Sequence, residues 1–239
     1  MSGKILLVED EHSIAEPVIY NLKQEGFSVT HVDEGPIALE IFSEESFDLI
    51  IKNGLCFIEG NLKKVDIGVK DALIKEIKEL SIFKASQIID AKNLLVLPGA
   101  IDTQVHFREP GLTHKGNIFS ESRAAVAGGV TSYFEMPNTN PQTTNLTELS
   151  KKFDVASKNS LANYSFMFGG TNSNFEEIKK LNFNEIPAIK IFLGSSTGDM
   201  LVDDYEVIED IMKFSKVPVV VHSEDEGIIK NNLKKKNIA

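Results

Sequence analysis

Residues able to do chemistry recur in this sequence at one kind of place, the carboxyl end of an apolar run. The richest case is Pro98-Gly99-Ala100-Ile101-Asp102-Thr103-Gln104-Val105-His106-Phe107-Arg108-Glu109-Pro110-Gly111. It reads as a buried strand ending in groups able to hold a metal and an anion. The His106 imidazole is a good ligand for a divalent metal, and the planar Arg108 guanidinium suits a carboxylate. A paired-histidine metal site would place another His two residues before His106, where this chain has Gln104. An amide oxygen is a much poorer zinc ligand than an imidazole. His222 closes a later apolar run, and Lys190 lies inside another, Ile189-Lys190-Ile191-Phe192. A lysine there is costly to bury unless paired or modified. Either it snorkels to water, or it is carbamylated and its new carboxylate bridges two metals. Asn138, in Met136-Pro137-Asn138-Thr139-Asn140-Pro141, either orients a polar substrate or serves the turn that Asn-Pro pairs favour. Each group also has a plainer role: a lone histidine is more often structural, and Arg108 has Glu109 beside it for an ion pair.

The elements that must position these residues alternate. From Pro98 onward the pattern predicts strands at Ala100–His106, Val130–Met136, Ala162–Phe168, Ala188–Leu193 and Pro218–His222. Helices are expected between them, near Glu121–Ala127, after an Asn145/Glu148 capping box, at Phe175–Leu181 and Asp203–Phe214, with a last one starting near Glu224. That makes about five β-α units, where about eight close a barrel. Such barrels do their chemistry at the carboxyl ends of the strands. Upstream, Asp48–Lys52 and Leu55–Glu59 flank Asn53-Gly54, a type I′ hairpin signal. With Val65–Val69, Ala72–Ile77, Ile88–Asp90 and Leu94–Leu97 they predict a small antiparallel sheet.

The first segment differs. Ile5-Leu6-Leu7-Val8 stops at Glu9-Asp10-Glu11, as a parallel strand with acids at its carboxyl end would. A helix follows through Ile14, Val18 and Leu22, ended by Gly26, then a strand at Phe27–Val32 and a helix opened by Pro36. Residues 1–50 hold 11 Asp/Glu against 2 Lys, and the rest 24 against 23 Lys/Arg, a step that points to two segments of different origin. The net charge of -10 argues against a nucleic-acid binder. Hydrophobic residues at 42% allow a sizeable core. No apolar leader or long apolar run points to secretion or a membrane span, and the lone Cys56 suits a reducing cytoplasm.

Two resemblances follow. Residues 1–49 resemble the first half of a response-regulator receiver domain, which implies a β-α-β-α flavodoxin-like fold and a Mg²⁺ site at Glu9 and Asp10. That family's phosphate-accepting Asp is replaced here by Asn53. The remainder resembles the N-terminal part of a dihydroorotase, in the cyclic-amidohydrolase superfamily. The motifs that carry this are Pro98–Asp102, Val105–Gly111, Met136–Pro141, the Lys190 strand and Val221-His222-Ser223-Glu224-Asp225.

The second resemblance implies a small β subdomain at 50–97 and an incomplete (β/α)8 metal-dependent-hydrolase barrel at 98–239. It implies one or two Zn²⁺ ions, with His106 on the first, His222 on the second, Lys190 as a carbamylated bridge and Gln104 in a degenerate ligand position. Arg108 and Asn138 would hold the substrate carboxylate. The implied reaction is the reversible interconversion of N-carbamoyl-L-aspartate and dihydroorotate, in pyrimidine biosynthesis. Gly116-Asn117 replaces an acidic pair common in the family. The strand-six His and the strand-eight catalytic Asp have no counterpart in the 239 residues, so the chain by itself is expected to be inactive, with exposed strand edges that favour oligomerisation.

Three alternatives stand beside this reading: a non-catalytic structural partner of an aspartate transcarbamoylase, a hydantoinase or allantoinase, and a signalling protein named from its first segment. Phe47-Asp48-Leu49-Ile50-Ile51 suits both resemblances, and the expectation is that two coding sequences were joined within that run, biologically or in sequence assembly.

Overall fold

The computed structural model describes residues 3–42, 46–81, 83–194 and 200–236, which fall into two compact units, Met1–Pro98 and Gly99–Ala239. The first begins with β1 (Lys4–Val8), α1 (His12–Gln24), β2 (Ser28–Val32) and α2 (Gly35–Phe42). β1 and β2 pair in parallel from Lys4↔Ser28 to Val8↔Val32 and form a sheet of their own. Gly26 leaves α1 at a left-handed φ of 86°, a conformation glycine adopts without a Cβ penalty.

From Phe47 the chain builds two more sheets, using β3 (Phe47–Lys52), β4 (Leu55–Ile58), β5 (Asn61–Lys64), β6 (Asp66–Lys70), β7 (Leu73–Lys78), β8 (Ala85–Asp90) and β9 (Leu95–Val96). Their orders are β7-β6-β3-β8 and β5-β4-β9. The hairpin expected at Asn53-Gly54 does not form. β3 pairs with β6 and β8, whereas β4 pairs with β5 and β9. A type I′ turn needs positive φ at both central residues. Here Asn53 has it, at 63°, and Gly54 does not. The Asn53 backbone N–H donates to Asp66 Oδ1 at 3.1 Å and its side-chain amide to Asp90 Oδ1 at 2.9 Å, so the chain turns from one sheet into the other. A Cβ on Gly54 would collide with Val96. The tight turns lie instead at Glu59-Gly60 (φ 51° and 80°) and Asp71-Ala72 (φ 52° and 60°), joining β4 to β5 and β6 to β7. The pairings of β8 and β9 are parallel, so the expected antiparallel sheet is two mixed ones.

The second unit alternates as expected: β10 (Ala100–Val105), α3 (Ile118–Ala127), β11 (Val130–Glu135), α4 (Leu146–Asn159), β12 (Asn163–Phe166), β13 (Phe168–Gly169), α5 (Phe175–Ile178), β14 (Ile189–Phe192), α6 (Tyr205–Phe214), β15 (Val219–His222) and α7 (Glu226–Lys236). Its strands pair in parallel in the orders β10-β11-β12 and β13-β14-β15, the third expected strand dividing at Met167. Tyr133, Phe166, Ile189 and Ile191 face the helices and pack with Ile118, Leu149 and Ile211. On the opposite face Met136, Met167 and Ala188 gather with Phe134 and Val220.

Two local expectations change. β10 is exposed along most of its length rather than buried, because it is the edge strand of its sheet. Asn145 accepts the Glu148 N–H at 2.9 Å, but the reciprocal capping box belongs to α3, where Asn117 and Ser120 cap each other. No described helix is long and apolar enough to cross a membrane.

Candidate active site

Strand alternation sorts the first motif. Asp102, Gln104 and His106 fall on one side of the chain, Val105 and Phe107 on the other. Val105 and Phe107 pack into the helix-facing core, with the Phe107 ring 4.4 Å from that of Tyr133. His106 follows directly on β10. The Asn138 side chain, from the loop after β11, lies close enough to His106 to act on its protonation. Partial desolvation, and then the nearby Arg108 charge, hold the His106 pKa below the usual imidazole range, while Asn138 acts weakly the other way. Lys190 and Lys152 add to the positive field. A neutral imidazole is the form that binds a metal.

The loop after His106 is fixed at several points. Arg108 sits at a left-handed φ of 71°, uncommon for a residue with a side chain. Its N–H donates to Glu135 Oε1 at 3.0 Å, and its carbonyl accepts the Leu112 N–H at 3.0 Å. Glu109 Oε2 accepts the Ile118 N–H at 2.8 Å, at the N-terminus of α3, where a carboxylate is favoured. Glu109 is therefore engaged by α3 rather than by Arg108. Gly111 has φ 80°, and a Cβ there would collide with the Asn140 carbonyl. The Asn140 N–H donates in turn to the Pro110 carbonyl at 3.1 Å. The loops bearing Arg108 and Asn138 are thus interlocked.

Lys190 is 2% exposed in the middle of its sheet. Its ammonium lies 4.9 Å from the centre of the Phe192 ring, and among the described residues no carboxylate pairs with it. Burial pushes its pKa down. Phe192 stands opposite His222 in register, the two rings 5.7 Å apart, with His222 exposed. Gln104 is exposed, and its backbone N–H is held by Asp102 Oδ1 at 3.0 Å. The structure therefore brings His106, Asn138, Arg108 and Lys190 into one field and places His222 beside Phe192. Among the described residues no three His, Cys, Asp or Glu converge as a metal-holding group. Two imidazoles at strand ends and a buried amine without a carboxylate are donors suited to zinc once the amine is carbamylated; Gln104 is not. In the first segment, Glu9 Oε1 accepts the Glu11 N–H at 3.0 Å and the Glu9 carbonyl lies 2.8 Å from His31 Nε2. Glu9 and Asp10 gain no third acidic or imidazole donor for Mg²⁺ among the described residues.

Sequence reasoning missed Glu135 and Lys152. Both are buried, with Lys152 Nζ 3.2 Å from Glu135 Oε2 and 3.0 Å from the Met136 carbonyl it donates to. Lys152 shares the buried face of α4 with Leu149 and Ala156, which the structure shows and the sequence does not single out.

No family model matches the chain. A dihydroorotase of Methanosarcina mazei is 33% identical over 183 residues, 75% of this chain and 40% of that protein. An allantoinase of Desulfitobacterium hafniense is 35% identical over 189 residues, 77% of this chain and 42% of that protein. Among solved structures, the L-hydantoinase from Arthrobacter aurescens superposes with a TM-score of 0.74 at 31% identity, over 79% of this chain and 43% of its own. The chain spans about two fifths of the length of the curated relatives it matches. The alternating parallel strands and helices of the second unit are consistent with part of a hydantoinase-type α/β barrel, and the chain is a member of the cyclic amidohydrolase superfamily.

Proposed function

We propose that the second unit carries part of a dihydroorotase-type site, acting between N-carbamoyl-L-aspartate and dihydroorotate. The observation that carries this reading is Arg108, held in a fixed loop beside Asn138 and His106. Both compounds bear a free carboxylate that a guanidinium and an amide can grip together. In this reading His106 and His222 hold zinc and Lys190 serves as its carbamate. Burial favours the neutral Lys190 amine, the form that reacts with carbon dioxide. Zinc, when bound, supplies a water of lowered pKa and polarises the ring carbonyl. Arg108 and Asn138 orient the ring by its carboxylate, and Met136 and Met167 exclude water from the sheet face behind it.

The test is a panel of N-carbamoyl-L-aspartate, hydantoin and allantoin, offered to the zinc-loaded protein and scored for binding and turnover. Preference for N-carbamoyl-L-aspartate that disappears in Arg108→Met supports the reading. Preference for an uncharged ring, indifferent to Arg108, supports a second one, hydantoinase or allantoinase, which the similarity to allantoinases and to the L-hydantoinase structure favours. For the first segment, the β1-α1-β2-α2 order supports a receiver-like ancestry without phosphoryl transfer, since Asn53 offers an amide where a phosphate-accepting carboxylate would be needed.

A further inference from the structure

The buried pair Glu135–Lys152 joins the two sides of His106. Starting from Val105, whose carbonyl accepts the Met136 N–H at 3.0 Å, the path crosses to β11. The Met136 carbonyl accepts from Lys152 Nζ at 3.0 Å, and Lys152 faces Glu135 Oε2 at 3.2 Å. Glu135 Oε1 then accepts the Arg108 N–H at 3.0 Å. The circuit starts one residue before His106 and ends two residues after it. Phe107, within it, is pinned against Tyr133. Among the described residues, Glu135 is the one hydrogen-bond partner of the Arg108 backbone from a neighbouring strand; the Leu112 bond is local. A buried ion pair is a weak source of stability, because desolvation consumes most of the Coulombic attraction. Its placement at the strand end is therefore the more telling fact.

We propose that Glu135 is a positioning residue for the site: it fixes the left-handed Arg108 backbone, and so the direction of the Arg108 side chain, while Lys152 anchors the carboxylate that does so. The substrate side of this proposal rests on Arg108 being the carboxylate-binding group. Glu135 itself lies on the helix-facing side of β11 with Tyr133 and touches no reacting atom.

Two charge-neutral double variants of the full chain separate positioning from mere support. Glu135→Leu with Lys152→Met removes the acceptor. Glu135→Gln with Lys152→Met keeps an amide oxygen for the Arg108 N–H. Amide hydrogen exchange is read at Arg108 and at Ile191 in β14, and binding of N-carbamoyl-L-aspartate is read by calorimetry. In the leucine variant Arg108 exchange should rise about tenfold or more, with Ile191 unchanged, and binding should weaken about tenfold. In the glutamine variant both should stay within about threefold of the parent. Unchanged Arg108 exchange in the leucine variant overturns the proposal. Equal loss of protection at Arg108 and Ile191 does so too, because the pair is then only structural, as does failure of glutamine to rescue. If the parent does not bind N-carbamoyl-L-aspartate while the exchange contrast holds, the positioning role stands and the carboxylate-binding reading of Arg108 falls.

Discussion

Glu135 Oε2 stands 3.2 Å from Lys152 Nζ with both side chains out of water, close enough to pair but not aligned for a hydrogen bond. Removing one partner strands the other. Lys152→Met should therefore destabilise the second unit by about 3–5 kcal/mol, while Glu135→Leu with Lys152→Met should lie much nearer the parent. The single variant should also have a pH signature. Burial already raises the Glu135 pKa above the ordinary 4.5, and Lys152 opposes this. Without Lys152 the folded pKa rises further, so stability is greatest in acid and is lost as pH climbs through that value. Urea unfolding across the acid-to-neutral range measures both effects.

Gly111 has no room for a side chain. Gly111→Ala would meet the Asn140 carbonyl at a backbone conformation that already disfavours L-residues. A loss of about 2 kcal/mol or more is expected. Because Arg108 and Asn138 lie on the two loops involved, affinity for N-carbamoyl-L-aspartate should fall with it, and thermal unfolding with calorimetry reads the two together.

Tyr133 is fully buried and its hydroxyl donates to Ser160 Oγ at 3.1 Å. Desolvation pushes its pKa up to about 12. The folded state thus keeps a proton that the unfolded chain releases near 10. Stability is undiminished below about 10 and declines as pH rises through about 12. Tyr133→Phe should remove this alkaline dependence, at an expense of about 1 kcal/mol for the lost hydrogen bond. The phenolate absorbance difference between parent and variant should titrate near 12; a midpoint near 10 would contradict the burial.

Gln104 and Lys190 give opposite expectations for metal. Gln104→His should tighten zinc binding on the order of tenfold, as an imidazole replaces an amide two residues from His106. His106→Ala should abolish that gain. In carbon-13 bicarbonate the protein should show a carbamate resonance that is absent from Lys190→Arg, since arginine offers no neutral amine.

The strand-helix alternation of the second unit was legible because parallel strands buried on both faces read as short apolar runs such as Ile189–Phe192. Asn53-Gly54 misled because a dipeptide reports a turn but not which strands pair across it; Asp66 and Asp90, distant in sequence, decided that. β10 misled because apolar composition does not reveal that a strand lies at an edge. His106, Arg108 and Asn138 stood out as candidates from their places after apolar runs. Glu135 and Lys152 could not, since an acid ending a strand and a lysine in a helix are each ordinary until packing closes them on one another.

The register of β3 has a further consequence. Phe47–Lys52 is held on both sides, by β6 and β8, so the run that suits both resemblances is committed to the small mixed sheet. β1 and β2 are left as a two-stranded ladder packed against α1 and α2, a small unit of limited stability. The ladder should open as its own cooperative block, with amides of Lys4–Val8 exchanging long before those of β3. Limited proteolysis should accordingly cut within the first forty residues before it cuts β3.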